Sequence, residues 1–371
     1  KTMTLTYPEA DLSPELKPVL VKLIEAAFIM DELFLKQVYR KNGDVAKEIA
    51  VAVKKDAKLK PYQEYFRIMY GPWDRTAHNK PFWGTTPKPP GAGYYAEGIT
   101  KASFNSHVSS LEASIKAEKD PKKLALLKAE LEGLKSYYTV IELKGSKLVS
   151  VPYHVYYKAE VTRASKLLKE AAALSKEPTL KHYLNKRAEA LLTDDYRESD
   201  FAWLKIDGDL EVVIGPYEVY EDELNGYKAA YESFINLVDK KYSAKLKEVA
   251  SFAGELDKNL PYDAKFREKA ARNLPIKVVN ELYTAGDTKA GVQTLAFNLP
   301  NDPVVRGDKK KCGYKLVLLK NVAEAKFKAI LTPIAKRLIT PDQLKYITFD
   351  AFFTHTLYHE SAHGIGPSYV T

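Results

Sequence analysis

Two histidines and a glutamate near the end of the sequence form a pattern suited to metal chemistry, His359-Glu360-Ser361-Ala362-His363. Positions i and i+4 of a helix lie on one face, so both imidazoles can point at one tetrahedral zinc ion. Glu360 projects beside them and suits a general base that takes a proton from zinc-bound water as the water attacks a carbonyl. The motif predicts a zinc-dependent peptidase site in which His359 and His363 hold the metal.

Zinc catalysis needs a third protein ligand, and the sequence does not identify one. His355 continues the histidine stripe, but it lies about 12 Å from His363 along a helix axis. That separation is too large for two ligands whose bonds to one ion are about 2 Å long. Every upstream Asp or Glu is formally a candidate, and none occurs in a distinctive pattern. We expect one zinc ion per complete chain, and a chain without the third ligand would bind zinc weakly and lack activity.

The composition indicates a folded protein with more than one lobe. The chain has 371 residues, of which 45% are hydrophobic and 28% charged, and its mean hydropathy is −0.34. This length exceeds what one ordinary core accommodates. No run approaches the roughly 18 apolar residues that a membrane helix requires. We therefore expect two lobes and no membrane span.

The distribution of charge indicates which binding partners to expect, and the cysteine content bears on the cellular compartment. The net charge is +9, but the basic residues are spread along the chain, without a basic stripe interleaved with aromatics or a Gly-x4-Gly-Lys loop. We expect a solvated, lysine-rich surface and no nucleic-acid partner, with a polyanion partner as the alternative. The single cysteine, Cys312, excludes internal disulfides and fits a cytoplasmic protein, although exported bacterial proteins are often cysteine-poor too.

Hydrophobic periodicity predicts many helices and a few short strands. Helical spacing is expected within 13–58, 121–137, 157–192, 221–252, 321–338 and 340–364. Strands are expected at 138–143 and 148–151, joined as a hairpin, and at 206–217, 278–284, 293–299 and 316–319. Five glycines and prolines between Gly84 and Gly91 predict an ordered loop without helix.

Four further segments stand out, in this order: Ile214-Gly215-Pro216-Tyr217-Glu218-Val219-Tyr220-Glu221-Asp222, Gly226-Tyr227-Lys228-Ala229-Ala230-Tyr231-Glu232, Tyr283-Thr284-Ala285-Gly286-Asp287 and Phe297-Asn298-Leu299-Pro300-Asn301-Asp302. With the histidine motif after them, this ordered set resembles the dipeptidyl peptidase III family of zinc exopeptidases. The resemblance is closest to bacterial members. In those it extends upstream through Gly71-Pro72-Trp73-Asp74-Arg75 and Ala190-Leu191-Leu192-Thr193-Asp194-Asp195-Tyr196, so it covers most of the chain.

The resemblance implies roles for individual residues. Glu218, Asn298 and Asn301 match positions that hold the free amino terminus of a peptide substrate. Tyr220 matches a tyrosine that hydrogen-bonds the oxyanion. The residue types suit these tasks, because carboxylate and amide oxygens accept hydrogen bonds from an ammonium group and a phenol donates to a developing oxyanion. The sequence alone would assign Glu218 and Tyr220 to a strand or turn, and Asn301 to a turn.

Two features depart from the family pattern. Most members have one more residue in the metal motif, a glycine before the second histidine, whereas this chain has the five-residue form of some bacterial relatives. This difference concerns the substrate register and not the metal. The family's third ligand is a glutamate on a later helix, and this chain ends before that helix. We therefore expect the chain to be truncated after the motif.

The fold implied by the resemblance is α+β, helix-rich and two-lobed. A mixed α/β lobe contains a small antiparallel sheet or barrel, and a mainly helical zinc lobe begins near the end. The predicted boundaries are 1–135 for an N-terminal helix-rich region, 136–320 for the mixed lobe and 321–371 for the start of the zinc lobe. The predicted function is zinc-dependent hydrolysis of peptide bonds near the N-terminus of oligopeptides, with release of dipeptides. The protein is expected to be a monomer. The alternative is a non-catalytic peptide-binding protein that retains the fold.

Overall fold

The structure, a computed structural model, describes residues 3–263, 275–307 and 313–362. The first part of the chain is mainly helical. In chain order its elements are α1 (Leu16–Val38), α2 (Asn42–Lys55), α3 (Lys60–Met69), a two-residue ladder of β1 (Trp73–Asp74) and β2 (Lys80–Pro81), α4 (Lys101–Ala117) and α5 (Pro121–Lys135). The predicted loop between Gly84 and Gly91 contains no helix, as its glycines and prolines require.

A hairpin and four helices follow. They are β3 (Thr139–Lys144), β4 (Lys147–Pro152), α6 (Tyr153–Tyr156), α7 (Lys158–Leu174), α8 (Pro178–Ala190) and α9 (Arg197–Leu204). The predicted hairpin is confirmed, and the helical spacing predicted over 157–192 corresponds to two helices, α7 and α8, with a break between them. Pro178 has no N–H to continue α7, and the Glu177 side chain accepts the N–H groups of Thr179 and Leu180, which starts a new helix.

A five-stranded sheet forms the centre of the molecule. Its strands and the helices between them are β5 (Leu210–Glu218), β6 (Ala230–Val238), α10 (Lys240–Ser251), α11 (Ala253–Asn259), β7 (Ile276–Gly286), β8 (Ala296–Leu299), α12 (Pro303–Gly307) and β9 (Lys315–Leu319). The strand order is β5-β6-β7-β9-β8, antiparallel except for the β7–β9 pair. The predicted helix-rich α+β fold with one small sheet is confirmed, and the sheet is mixed.

The prediction of one helix over 221–252 is wrong. The chain turns through 221–229, forms β6 and becomes helical only at Lys240. All nine residues of β6 are buried, so the strand shows no alternation of polar and apolar residues. Because both faces are covered, the period-2 signal that identifies a strand is absent from this sequence.

The last part of the described chain is helical. It consists of α13 (Lys320–Lys326), a π-helical segment (Phe327–Leu331), α14 (Thr332–Leu338) and α15 (Phe349–Ala362). The prediction that the final helix begins at Thr340-Pro341 is wrong. The chain makes turns there, and Thr348 provides the cap by accepting the N–H of Ala351 on its hydroxyl, at 3.2 Å.

The main core lies between the sheet and the helices that cover it. The long helix α1 packs against α7 and against strands β6 and β7. Leu23, Met30 and Leu33 of α1 are fully buried in this core, together with Leu168 of α7 and Ile235 of β6. The N-terminal helix thus supports the central strands directly. Within the described ranges, no helix is both long and apolar enough to cross a membrane.

Candidate active site

The helix that carries the metal motif is docked on the sheet by aromatic and aliphatic side chains. Phe353 and Leu357 of α15 are buried and form a cluster with Val278 of β7 and Leu318 of β9. The Phe353 ring also meets the ring of Tyr242 edge-on, with centroids 5.8 Å apart. His359 and Glu360 follow this anchored turn directly, so the packing of Phe353 and Leu357 determines where they lie.

A cavity of about 380 Å³ lies between the sheet and the end of α15, and we call it the carboxylate cleft. Strands β5, β6 and β8 and helix α15 contribute to its lining. The segments that follow β5, β7 and β8 contribute as well. The lining residues are Glu218, Tyr220, Glu232, Phe234, Asp287, Thr288, Val292, Thr294, Ala296, Phe297, Asn298, Asn301 and Glu360. Five of the seven site residues predicted from the sequence therefore share one cavity. His359 is exposed on α15, and His363 lies outside the described residues.

Glu218 reaches the cleft because β5 contains a bulge. Gly215 pairs with Glu232, and a regular ladder continuing from that pair would set Tyr217 opposite Ala230. Instead, Ala230 pairs with Glu218. Since successive strand residues point to opposite faces, the bulge moves Glu218 onto the face shared by Glu232. The Asn301 side-chain amide stabilises the bulge by donating a hydrogen bond to the Tyr217 carbonyl oxygen at 3.3 Å.

Burial raises the pKa of three carboxyl groups in the cleft. They belong to Glu218 of β5, Glu232 of β6 and Asp287 in the turn after β7. For Glu218 the Asn301 hydrogen bond and the Arg306 charge oppose the rise. Burial raises the pKa of Glu232 well above its usual range, and the charges of Asp287 and Glu218 add to that effect. Burial, followed by the charge of Glu221, raises the pKa of Asp287 to about 7. The cleft therefore holds carboxyl groups whose ionisation an incoming cation would favour.

Glu232 and Asp287 are site residues to which the sequence analysis assigned no role. Both belong to segments that carried the family resemblance, but nothing local distinguishes their carboxylates from those of surface residues. Glu232 lies in a segment that sequence periodicity assigned to a helix. Only the pairing of Glu232 with Gly215 on β5 and with Gly286 on β7 brings the two carboxylates together.

Tyr220 is mostly exposed, yet the loop that carries it is firmly held. Glu221 is buried and forms ion pairs with Arg75 at 2.7 Å and Lys88 at 2.9 Å. Asp222 is also buried and accepts the Tyr95 hydroxyl at 2.9 Å as well as four backbone N–H groups of the same loop. The charge of Glu218, followed by burial, raises the pKa of Tyr220, so the phenol remains a hydrogen-bond donor at neutral pH.

The turn that presents Asp287 is anchored to α1. The Gly286 N–H donates to Asp31 at 2.7 Å, and Lys289 pairs with the same carboxylate at 3.1 Å. Gly286 has φ of +71°, and a Cβ there would lie 2.1 Å from the Tyr231 carbonyl oxygen. Only glycine allows β7 to end so close to β6, which brings Asp287 to the cleft.

The described end of α15 carries one imidazole and one carboxylate, which are residue types found in zinc sites. His359 is an exposed imidazole on the last turn of α15, and Glu360 on the neighbouring face lines the cleft. An imidazole ligand beside a carboxylate that does not ligate is the donor chemistry of a zinc hydrolase. Within 3–263, 275–307 and 313–362, no cluster of three or more His, Cys, Asp or Glu residues could hold a metal ion.

Two solved structures share this fold over all or nearly all of the chain. Dipeptidyl peptidase III from Caldithrix abyssi is 45% identical with a TM-score of 0.87, and the alignment covers 98% of this chain and 66% of that one. Dipeptidyl peptidase III from Corallococcus sp. strain EGB is 39% identical with a TM-score of 0.85, covering 100% of this chain and 66% of that one. The fold is thus that of the dipeptidyl peptidase III structures.

The family assignment agrees with the structural likeness. The model of peptidase family M49 matches residues 93–368, and the chain belongs to that family. Among curated proteins, "Nudix hydrolase 3" of Arabidopsis thaliana is 36% identical over 407 residues, which cover all of this chain and 52% of the relative. The chain thus spans about half the length of that relative and about two thirds of each solved structure.

Proposed function

We propose that the protein is a zinc-dependent peptidase that releases dipeptides from the N-terminus of oligopeptides. The observation that carries this proposal is the single cleft in which Glu218, Asn298 and Asn301 lie together with Tyr220 and Glu360. Membership of peptidase family M49 supports the reaction class. The likeness to the two dipeptidyl peptidase III structures supports the dipeptide-releasing specificity.

The substrate's free amino terminus binds at the carboxylate side of the cleft. Glu218 accepts from the ammonium group, and the side-chain oxygens of Asn298 and Asn301 complete its hydrogen bonds. Glu232 and Asp287 add negative potential, since an ammonium ion nearby favours their ionised forms. Binding in this mode expels protons from the cleft at neutral pH, because the pKa values of these carboxyls are raised in the free protein.

Hydrolysis takes place where α15 meets the cleft. His359 and His363 would hold zinc, which when bound polarises the scissile carbonyl and acidifies a water molecule. Glu360 accepts a proton from the attacking water and delivers it to the leaving amine. Tyr220 donates its hydroxyl hydrogen bond to the carbonyl oxygen as negative charge develops there. The distance between the ammonium site and Glu360 then sets how many residues are released.

The test is product analysis on the full-length protein with an oligopeptide of about eight residues that has a free amino terminus. Mass spectrometry is expected to show successive loss of dipeptides. The same peptide with an acetylated amino terminus and the Glu360→Gln variant serve as matched controls, and both are expected to give no product. Cleavage in the middle of the peptide, or equal cleavage of the acetylated peptide, would contradict the proposal. Peptide binding without cleavage would support the non-catalytic alternative.

A further inference from the structure

A second cavity of about 240 Å³ adjoins the carboxylate cleft, and we call it the tyrosine pocket. Glu218, Tyr220 and Asn301 line both cavities. The remaining lining residues are Tyr137, Tyr138, Arg187, Tyr196, Asp200, Pro216, Tyr217, Val219, Ala229, Pro300 and Asp302. Among these lining residues is Arg187 of α8, whose charged side chain is fully buried. No sequence pattern distinguishes Arg187.

Arg187 is held by one carboxylate and a cage of aromatic rings. Its Nη2 donates to Asp200 of α9 at 2.6 Å. The guanidinium carbon lies 5.4, 5.1 and 5.2 Å from the ring centroids of Tyr183, Tyr196 and Tyr217. Its Nε and Nη1 are buried and have no hydrogen-bond partner among the described residues. A buried ion pair of this kind adds little net stability compared with apolar side chains of the same volume.

The backbone of β5 is shaped around this guanidinium. Gly215 has φ of +141°, and a Cβ there would lie 2.8 Å from Arg187 Nη1. Glycine at this position therefore lets the strand pass directly against Arg187. Tyr217, two residues later, is the residue skipped in the pairing of β5 with β6. The bulge thus occurs where the Tyr217 ring packs on the guanidinium.

We infer that Arg187 is a positioning residue for recognition of the substrate's amino terminus. By holding the bulged Tyr217, it keeps Glu218 on the face of the carboxylate cleft, where a regular strand would turn it away. The same bulge presents the Tyr217 carbonyl to the Asn301 amide, so two of the three ammonium-binding residues depend on it. This inference rests on the proposed function, in which Glu218 and Asn301 bind the ammonium group.

The test is a double-mutant cycle between Arg187 and Glu218 in the metal-loaded full-length protein. Arg187→Met is combined with Asp200→Asn, so that no unpaired charge remains buried. For a peptide with a free amino terminus, this neutral pair is expected to raise KM about tenfold or more while kcat changes less than about twofold. In the Glu218→Gln background the same pair is expected to raise KM by less than about twofold, because both changes remove one interaction.

Arg40 and Glu142 provide a matched control. They form a partly buried pair at 2.7 Å, and Arg40 also lies over a tyrosine ring, but neither residue lines the cleft. Arg40→Met with Glu142→Gln is expected to leave KM unchanged. If the Arg187 variant does not fold, Tyr217→Leu takes its place. This substitution removes the ring from the guanidinium but retains the ion pair of Arg187 with Asp200, and it is expected to raise KM as much as the Arg187 variant would.

Two outcomes would overturn the inference. One is an unchanged KM in the folded Arg187 variant or, where that variant does not fold, in Tyr217→Leu. The other is an increase in KM that multiplies with that of Glu218→Gln, as independent effects do. An unchanged KM in Glu218→Gln alone is a different result, since it would contradict the proposed function of Glu218 itself.

Discussion

Glu218 at the end of β5 and Glu360 in α15 line the same cleft, although they come from different parts of the fold. Glu218 suits the recognition of an ammonium group, whereas Glu360 suits the transfer of a proton during hydrolysis. Two such groups at fixed positions in one cavity define a length of peptide measured from its amino terminus. This relationship is the structural basis for proposing an exopeptidase.

Replacement of Glu218 by glutamine is expected to weaken substrate binding. The variant keeps the shape of the side chain but removes its charge, and a hydrogen bond to a charged group is worth about 1.5–3 kcal/mol. KM for a peptide with a free amino terminus should therefore rise about tenfold to a hundredfold, with kcat changed much less. Steady-state kinetics over a range of peptide concentrations measure both constants.

Glu223→Gln is the matched control for this prediction. Glu223 lies on the same loop region and pairs with Lys88 at 3.1 Å, but its side chain is about half exposed and does not line the cleft. KM should stay within about twofold of the wild-type value, as for a surface ion pair. Equal effects of the two substitutions would show that general charge, rather than a specific contact, attracts the substrate.

Replacement of Tyr220 by phenylalanine is expected to slow the chemical step. The hydroxyl donates to an oxygen that gains charge only in the transition state, so its loss should lower kcat by roughly 10²-fold to 10³-fold and alter KM little. Tyr346→Phe, at another exposed tyrosine away from the cleft, should leave kcat unchanged. A Tyr220 variant that changes only KM would assign the residue to binding instead.

The stability of the protein should depend on the ionisation of Asp287. Its pKa is about 7 in the folded state and about 4 in the unfolded chain, so the folded protein binds more protons between these values. The Asp287 contribution to stability is present below pH 4 and is lost as the pH rises to about 7. Asp287→Asn should therefore stabilise the protein at pH 8, by on the order of 1 kcal/mol after allowing for partial exposure.

Urea denaturation at pH 5 and pH 8 measures this difference, with Asp44→Asn on exposed α2 as the control. The gain from Asp287→Asn should be larger at pH 8 than at pH 5, and the control should change neither value. An equal effect of Asp287→Asn at the two pH values would contradict the prediction, because it would mean that Arg75 and Lys88 keep the Asp287 carboxylate ionised across this range in the folded protein.

The docking of α15 should depend on Phe353. Its side chain is 3% exposed between Tyr242 and the sheet, and truncation of a buried phenylalanine costs about 3–5 kcal/mol. Phe353→Ala should raise amide hydrogen exchange throughout α15 and weaken metal binding. Tyr358→Ala on the exposed side of the same helix should do neither. Unchanged exchange in Phe353→Ala would show that other contacts hold the helix.

The sequence predicted the hairpin β3–β4 and the positions of β5, β7, β8 and β9, because their local patterns are distinct. It also predicted the helical regions that contain α1, α2, α5, α7, α8, α13, α14 and α15, whereas α3, α4 and α9 lie outside the predicted helical ranges. The strand β6 was missed, since both of its faces are buried and its Ala230 and Glu232 are good helix formers. The break between α7 and α8 depends on one proline, Pro178, inside an otherwise helical pattern. Long-range pairing with β5 and β7 decides β6, and local periodicity does not contain that information. Pro178, by contrast, is a local signal.

The candidate site was partly predictable for a similar reason. His359 and Glu360 belong to a short motif whose chemistry follows from helical spacing. Glu218 and Asn301 were identified only through family resemblance, because the bulge that brings them together involves residues far apart in the chain. Arg187 lies in no segment that the sequence singled out, and Glu232 lies in one but without a local feature that marks its role, since both roles arise from burial beside other elements. The predicted domain boundaries at 135 and 320 stay predictions.

The most direct test of the account is zinc content and peptide hydrolysis measured on the same samples of the full-length protein. Wild type and His359→Ala are dialysed, analysed for metal by mass spectrometry and assayed with a peptide that has a free amino terminus. We expect about one zinc ion per wild-type chain with release of dipeptides, and loss of both in His359→Ala. Hydrolysis that survives both the substitution and removal of zinc by a chelator would contradict the central claim.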